Sequence, residues 1–100
     1  ALAMLGLFDK ALECGLRVRE VFLRFKDFPA AGKIELNLGN IYQKRDQYDK
    51  AEEFLRMARN RFEKTEEFSR LIQIDNSLAN ALAHQHRFAE AEEIYLEALK

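Results

Sequence analysis

The sequence of 100 residues has no tryptophan, one proline, four glycines and one cysteine. With Cys14 alone, no internal disulfide can close and no cysteine-rich metal site can assemble. A single thiol fits a reducing compartment, so a cytoplasmic location is expected. Charge of one sign is also lacking: 16 Lys and Arg face 17 Asp and Glu, for a formal net charge of -1. That balance offers no basic face to displace counterions from nucleic acid. Nor does it offer a polybasic segment for a membrane surface. The longest apolar stretch, Ala1 to Phe8, is interrupted by Gly6 and falls far short of the roughly 20 residues of a membrane span. No basic segment precedes it, as one would in a signal peptide. Alternating β-branched runs and Asn-Gly turns are missing, which leaves no signal for strands.

Chemistry-bearing motifs are equally scarce. There is no Ser/His/acid order, no glycine-rich phosphate loop and no zinc spacing. His84 and His86 are two apart, so on a helix they point away from each other, and no cysteine or carboxylate pair completes a metal site. The acidic pairs Glu52-Glu53, Glu66-Glu67 and Glu92-Glu93 fall in early helical turns, where they favour the macrodipole. Arg56, Arg59, Arg61 and Lys64 form a basic run, read as a salt-bridged outer surface in which Glu52 and Glu53 offset part of the charge, with a binding patch as the alternative. The reading is therefore of a non-enzyme with no cofactor and no metal.

What the chain does have is repetition. Phe8-Asp9-Lys10-Ala11 recurs as Tyr48-Asp49-Lys50-Ala51 and as Phe88-Ala89-Glu90-Ala91, each step being 40 positions. In the same register Cys14 aligns with Phe54 and Ile94, Val18 with Ala58 and Ala98, and Leu38 with Leu78. Asn40 aligns with Asn80. The alignment of Cys14 with apolar positions predicts a buried small hydrophobe there. A generic amphipathic helix would match itself at 3.6 or 7 positions, so a recurrence at 40 marks a repeated supersecondary unit.

Punctuation places the helices. Pro29 and Gly32 mark a break before a helix over about 30–44. Arg45-Asp46-Gln47 is a polar turn, followed by a helix over 48–63. Thr65 is the expected cap for a helix over 66–84, His86-Arg87 turn again, and a last helix starts at Phe88. Residues 8–25 form the matching helix of an earlier unit, and 1–6 the remnant of the helix before it. The domain division expected is one domain over 1–100: a partial repeat (1–28), a repeat (29–68) and a repeat (69–100). Because the pattern is already under way at Ala1, the chain is expected to be a piece of something longer. Small residues at Gly39 with Ala51, and at Ala79 with Ala91, predict close helix crossings, with Tyr42, Tyr48 and Phe88 filling neighbouring holes.

These offsets resemble the tetratricopeptide repeat, whose signature is small and large residues at fixed positions of a helix hairpin. The middle repeat reads Leu38-Gly39, Tyr42, Ala51, Leu55 and Ala58, and the last reads Leu78-Ala79, Leu82, Ala91, Tyr95 and Ala98. The first keeps Leu2, Ala11 and Val18. Departures are Glu35 and Asp75 at the usual early Trp position, Glu63 at the usual closing Pro, and Gly15 where an aromatic is common. The period of 40 is similar to the long-helix variety found in kinesin light chains and in bacterial multi-repeat proteins. The resemblance implies an all-α, right-handed α-α superhelix of about two and a half repeats. It also implies a protein-protein interaction scaffold in which the first helix of each repeat lines a concave groove for an extended peptide.

Projection from the packing positions puts Lys33, Leu36, Asn37, Asn40 and Lys44 on that inner surface, then Gln73, Asn76, Ser77, Asn80 and His84. Asparagine is a mediocre helix former. Its amide both donates and accepts, so a row of them can hold peptide main chain without reading side chains. The partner expected is a protein or peptide, with no nucleic acid and no membrane. A second reading is left open: a structural spacer or self-association segment with no groove ligand. The apolar residues Leu12, Leu16, Val18, Val21, Phe22, Leu23 and Phe25, lacking the helix before them, also suggest a homodimer through exposed helix ends.

Overall fold

The computed structural model describes residues 2–65 and 67–98, and within them the side chains of 6–65 and 67–97. Among these residues there are five α-helices and no strand: α1 (Leu2–Arg24), α2 (Phe28–Lys44), α3 (Tyr48–Glu63), α4 (Phe68–His84) and α5 (Phe88–Ala98). Consecutive helices pack on one another, and α2 also touches α4. The result is an all-α stack of helix hairpins, with α2 and α4 in one layer and α1, α3 and α5 in the other. Side chains link the second layer too, through Arg19 to Met57 (3.5 Å) and Arg59 to Glu97 (2.9 Å).

The corners share one backbone solution. Lys26, Asp46 and His86 take left-handed φ values of 57°, 60° and 62°. The amide after each donates back to the carbonyl five residues earlier: Asp27 to Phe22 (2.8 Å), Gln47 to Tyr42 (2.9 Å) and Arg87 to Leu82 (3.0 Å). This closes the helix end by the Schellman pattern without a glycine. Asp27 then caps α2 by accepting from the Ala30 amide (3.3 Å), with Pro29 in the first turn, where its missing N–H costs nothing.

Close crossings sit where small residues allow them. Ala51, Leu55, Ala58 and Phe62 form the fully buried stripe of α3. A Cβ added to Gly39 would come within 2.8 Å of Leu55 Cγ and 3.3 Å of the Ala51 carbonyl oxygen. Gly32 is not a break but a seat inside α2, because its missing Cβ leaves room for the Phe62 ring at 2.8 Å. Gly15, standing where an aromatic is common, is filled from the other side by Leu38, whose Cδ2 would be 2.8 Å from an added Cβ. Ala51 and Ala91 are buried as the repeat requires, whereas Ala11 is exposed.

Four further expectations are corrected. The break between residues 6 and 8 does not exist: α1 runs unbroken from Leu2 to Arg24, since the segment lacks a turn sequence like the one at 45–47. Cys14 is exposed rather than buried, because among the described residues α1 packs on α2 alone, and α1's other flank is uncovered. Leu36 is buried, not on the inner surface, because it belongs to the hydrophobic core between α2 and the helices packed on it. Thr65 does not cap α4: its hydroxyl donates to the Phe62 carbonyl at the end of α3 and accepts from the Glu67 amide, and Glu67 is the N-cap residue.

Charge is buried at two equivalent places. Glu35, fully buried, accepts from Arg19 Nε (2.9 Å) and from Arg61 Nε and Nη2 (2.8 and 3.2 Å). Forty residues on, buried Asp75 accepts from Arg59 Nε (2.7 Å), and Arg59 also reaches Glu63 and Glu97. The guanidinium comes in both cases from the helix of one repeat, 16 positions before the acid of the next.

Two measurements test this packing. Gly39→Ala should lose about 1–2 kcal/mol in urea unfolding, overpacking outweighing the gain in helix propensity, while Gly6→Ala, which meets nothing within 4 Å, should gain up to about 1 kcal/mol. Glu35→Ala should cost about 3 kcal/mol, the low end for breaking a buried ion pair, because Arg19 and Arg61 are partly exposed and can turn to water.

Candidate functional site

The inner layer is set by α2 and α4 lying side by side. Gln43 at the end of α2 donates from Nε2 to the Ser77 carbonyl of α4 (2.6 Å), a direct tie between the two. Beside this tie opens a cleft of about 390 Å³ lined by Asn40, Gln43, Lys44, Tyr48, Asn80 and His84. Its wall is a stacked pair: the Tyr48 ring lies 4.4 Å from the His84 ring, at an interplanar angle of 6°. Tyr48 is held from its far end, where its hydroxyl donates to Asp46 (2.8 Å). That hydrogen bond to a carboxylate is the main reason its phenol pKa is raised.

Four of the residues singled out from the sequence, Asn40, Lys44, Asn80 and His84, share this cleft. Asn80, Lys44 and His84 are exposed and Asn40 is half-buried. Among the described residues neither asparagine amide is engaged by another protein group. Ser77 is half-buried and contributes its carbonyl to Gln43 instead. The others lie elsewhere. Asn37 borders an apolar cleft between α1 and α2 that includes Cys14 and Gly15. Gln73 sits in a hollow at the start of α4 with Phe68 and Ser69. Lys33 and Asn76 are exposed outside the cleft.

Gln43 and Tyr48 were not read as groove residues. Tyr48 begins α3 and belongs to the hole-filling set by its repeat position, yet the corner at Asp46 swings it toward α4. Gln43 has no counterpart among inner residues of the next repeat, where Ala83 stands. For neither was there a signal in the spacing alone.

A polar knot behind the cleft fixes the α4–α5 corner on α3. Glu52 accepts from Arg56 Nε (2.9 Å), Gln85 Nε2 (3.2 Å) and Arg87 Nη1 (2.6 Å). Gln85 also donates to the Tyr48 carbonyl (3.3 Å), and Arg87 pairs with Glu90. Burial alone would push the Glu52 pKa up. The hydrogen bonds from Arg56 and Gln85 and the charges of Arg87 and Arg56 outweigh it, so the pKa is lowered. His86 makes an edge contact with Phe88 at 5.8 Å, so the two histidines serve different neighbours. Among the described residues no three His, Cys, Asp or Glu side chains gather in a way that could hold a metal ion. Nor is any described helix long and apolar enough to cross a membrane.

Two family models, both described as tetratricopeptide repeat, match residues 1–65 and 76–100. The chain belongs to the tetratricopeptide repeat family. Repeats of this family are protein-protein interaction modules and form non-catalytic scaffolds. In this tetratricopeptide chain two of the positions that depart from the usual signature, Glu35 and Asp75, are the buried acids of the inter-repeat ion pairs. The signal that marks them is the register itself: Arg19 aligns with Arg59 as Glu35 aligns with Asp75.

The Glu52 knot predicts a pH dependence. A carboxylate whose folded pKa lies below its ordinary 4.5 gives its full contribution above that value and loses it as pH falls through the folded pKa. Glu52→Gln should therefore lower the urea midpoint at neutral pH and flatten its fall between about pH 5 and pH 3.

Proposed function

We propose that the inner cleft holds an extended segment of a partner protein, with Asn40 and Asn80 on its main chain and the Tyr48–His84 pair as a side wall. The observation that carries this reading is that both amides, from equivalent positions of successive repeats, open on one cleft and are spent on nothing else among the described residues. Packed helices lie about 8–10 Å apart and an extended chain rises about 3.3 Å per residue, so such a row meets roughly every third peptide unit. Amides suit that role because they donate and accept at once. Lys44 at the mouth adds a positive charge and favours a carboxylate on the ligand. Asparagines used only to join helices would be bonded to a neighbouring helix, and that neither amide is so engaged among the described residues supports the binding reading.

Selection from a displayed library of random peptides tests it. Peptides enriched on the native chain should bind the Asn40→Ala, Asn80→Ala double variant roughly tenfold more weakly, with unchanged far-ultraviolet circular dichroism. Equal binding by the double variant would remove the groove reading.

A further inference from the structure

We propose that the open end of the α2–α3 hairpin is a second recognition site, taking an acidic peptide segment with an aromatic or aliphatic side chain next to its carboxylate. It lies at the opposite end of α2 from the groove. Phe28 and Lys44 are the first and last residues of that helix, a separation of about 24 Å at the α-helical rise.

Here the first turn of α2 and the last turns of α3 enclose a cleft of about 420 Å³. Its floor is apolar: Phe28, Pro29 and the Met57 thioether. Phe28 is 46 % exposed, so the floor has not been covered by the fold. Its rim is Asn60, Arg61 and Lys64, and no carboxylate lines it among the described residues.

Charge bookkeeping sets the sign of the ligand. Behind the rim, the one carboxylate of Glu35 serves both Arg19 and Arg61, so that group keeps a net positive charge, to which Lys64 adds another. The Arg61 guanidinium is also fixed before any ligand arrives. Two hydrogen bonds to Glu35 hold it, and it lies over the Phe28 ring at 5.4 Å from the centroid. A cation already held in place loses little further freedom on binding.

An inorganic anion would use the rim and leave the floor wet. A peptide segment satisfies both, with its carboxylate at Arg61 and Lys64 and its apolar side chain on Phe28 and Met57, where sulfur–ring contact favours an aromatic.

Met57 is one of two methionines, so its methyl signal in a carbon-13 NMR spectrum is a local reporter. Titration with acetyl-Phe-Asp-Glu-Leu-amide should move that signal saturably, and acetyl-Phe-Lys-Lys-Leu-amide should not. Lys64→Glu and the milder Lys64→Gln should weaken the acidic peptide, the former roughly tenfold. The Asn40→Ala, Asn80→Ala variant should bind it as the native chain does, which separates this site from the groove. An unmoved Met57 signal, equal response to the basic peptide, or full retention by both Lys64 variants would overturn the proposal. So would inorganic phosphate alone moving Met57 as far as the peptide does.

Discussion

Glu35 carries its charge where no water reaches it, and two guanidinium groups from different helices answer it. A carboxylate in that position is tolerable only while its partners stay put, since an uncompensated buried charge is strongly destabilising. The arrangement therefore ties α1, α2 and α3 into one register. Asp75, through Arg59 and its further bond to Glu97, does the same for α3, α4 and α5. Apolar packing would let stacked hairpins slide by fractions of a side chain, whereas directional hydrogen bonds do not. The spacing of α2 and α4, and with it the width of the cleft between Asn40 and Asn80, rests on these two contacts to α3 together with the Gln43–Ser77 tie.

The fold was legible because its rule is a repetition. Apolar and small positions recurring at 40 residues locate the helices, and the close crossing at Gly39 and Ala51 follows from the absence of bulk there. Reading failed where a residue's fate depends on whether a neighbour covers its own face. Leu36 and Asn76 are equivalent by register and lie on helices that each meet three others, yet the first is buried and the second is exposed. Cys14 is exposed on a helix that packs on α2 alone, whereas Phe54 is partly buried on α3, between α2 and α4. A one-dimensional pattern states which face is apolar, not whether a neighbour covers it.

The site was legible in part. Register carried Asn40 and Asn80 to one cleft, because equivalent positions on parallel elements of a stack must line up. Lys44 and His84 followed by the same argument. What spacing could not supply was the path of the chain at the corners. Tyr48 turns toward His84 because Asp46 adopts a left-handed backbone, and Gln43 reaches the Ser77 carbonyl because the two helices approach more closely than a groove of independent walls would suggest. The buried acids were visible as departures from the family signature, and only their arginine partners at a matching offset give them meaning.

The corners at Lys26, Asp46 and His86 share a conformation although lysine, aspartate and histidine have little in common. The backbone there is closed by its own amides, so any residue that tolerates a left-handed φ, which leaves out proline and the β-branched types, can stand there. A gene segment of 40 codons cut at two such corners would begin and end on the same local geometry. It could be copied in tandem without any new loop having to be invented. Arrays of this kind can thus lengthen by duplication first and diversify their surfaces afterwards.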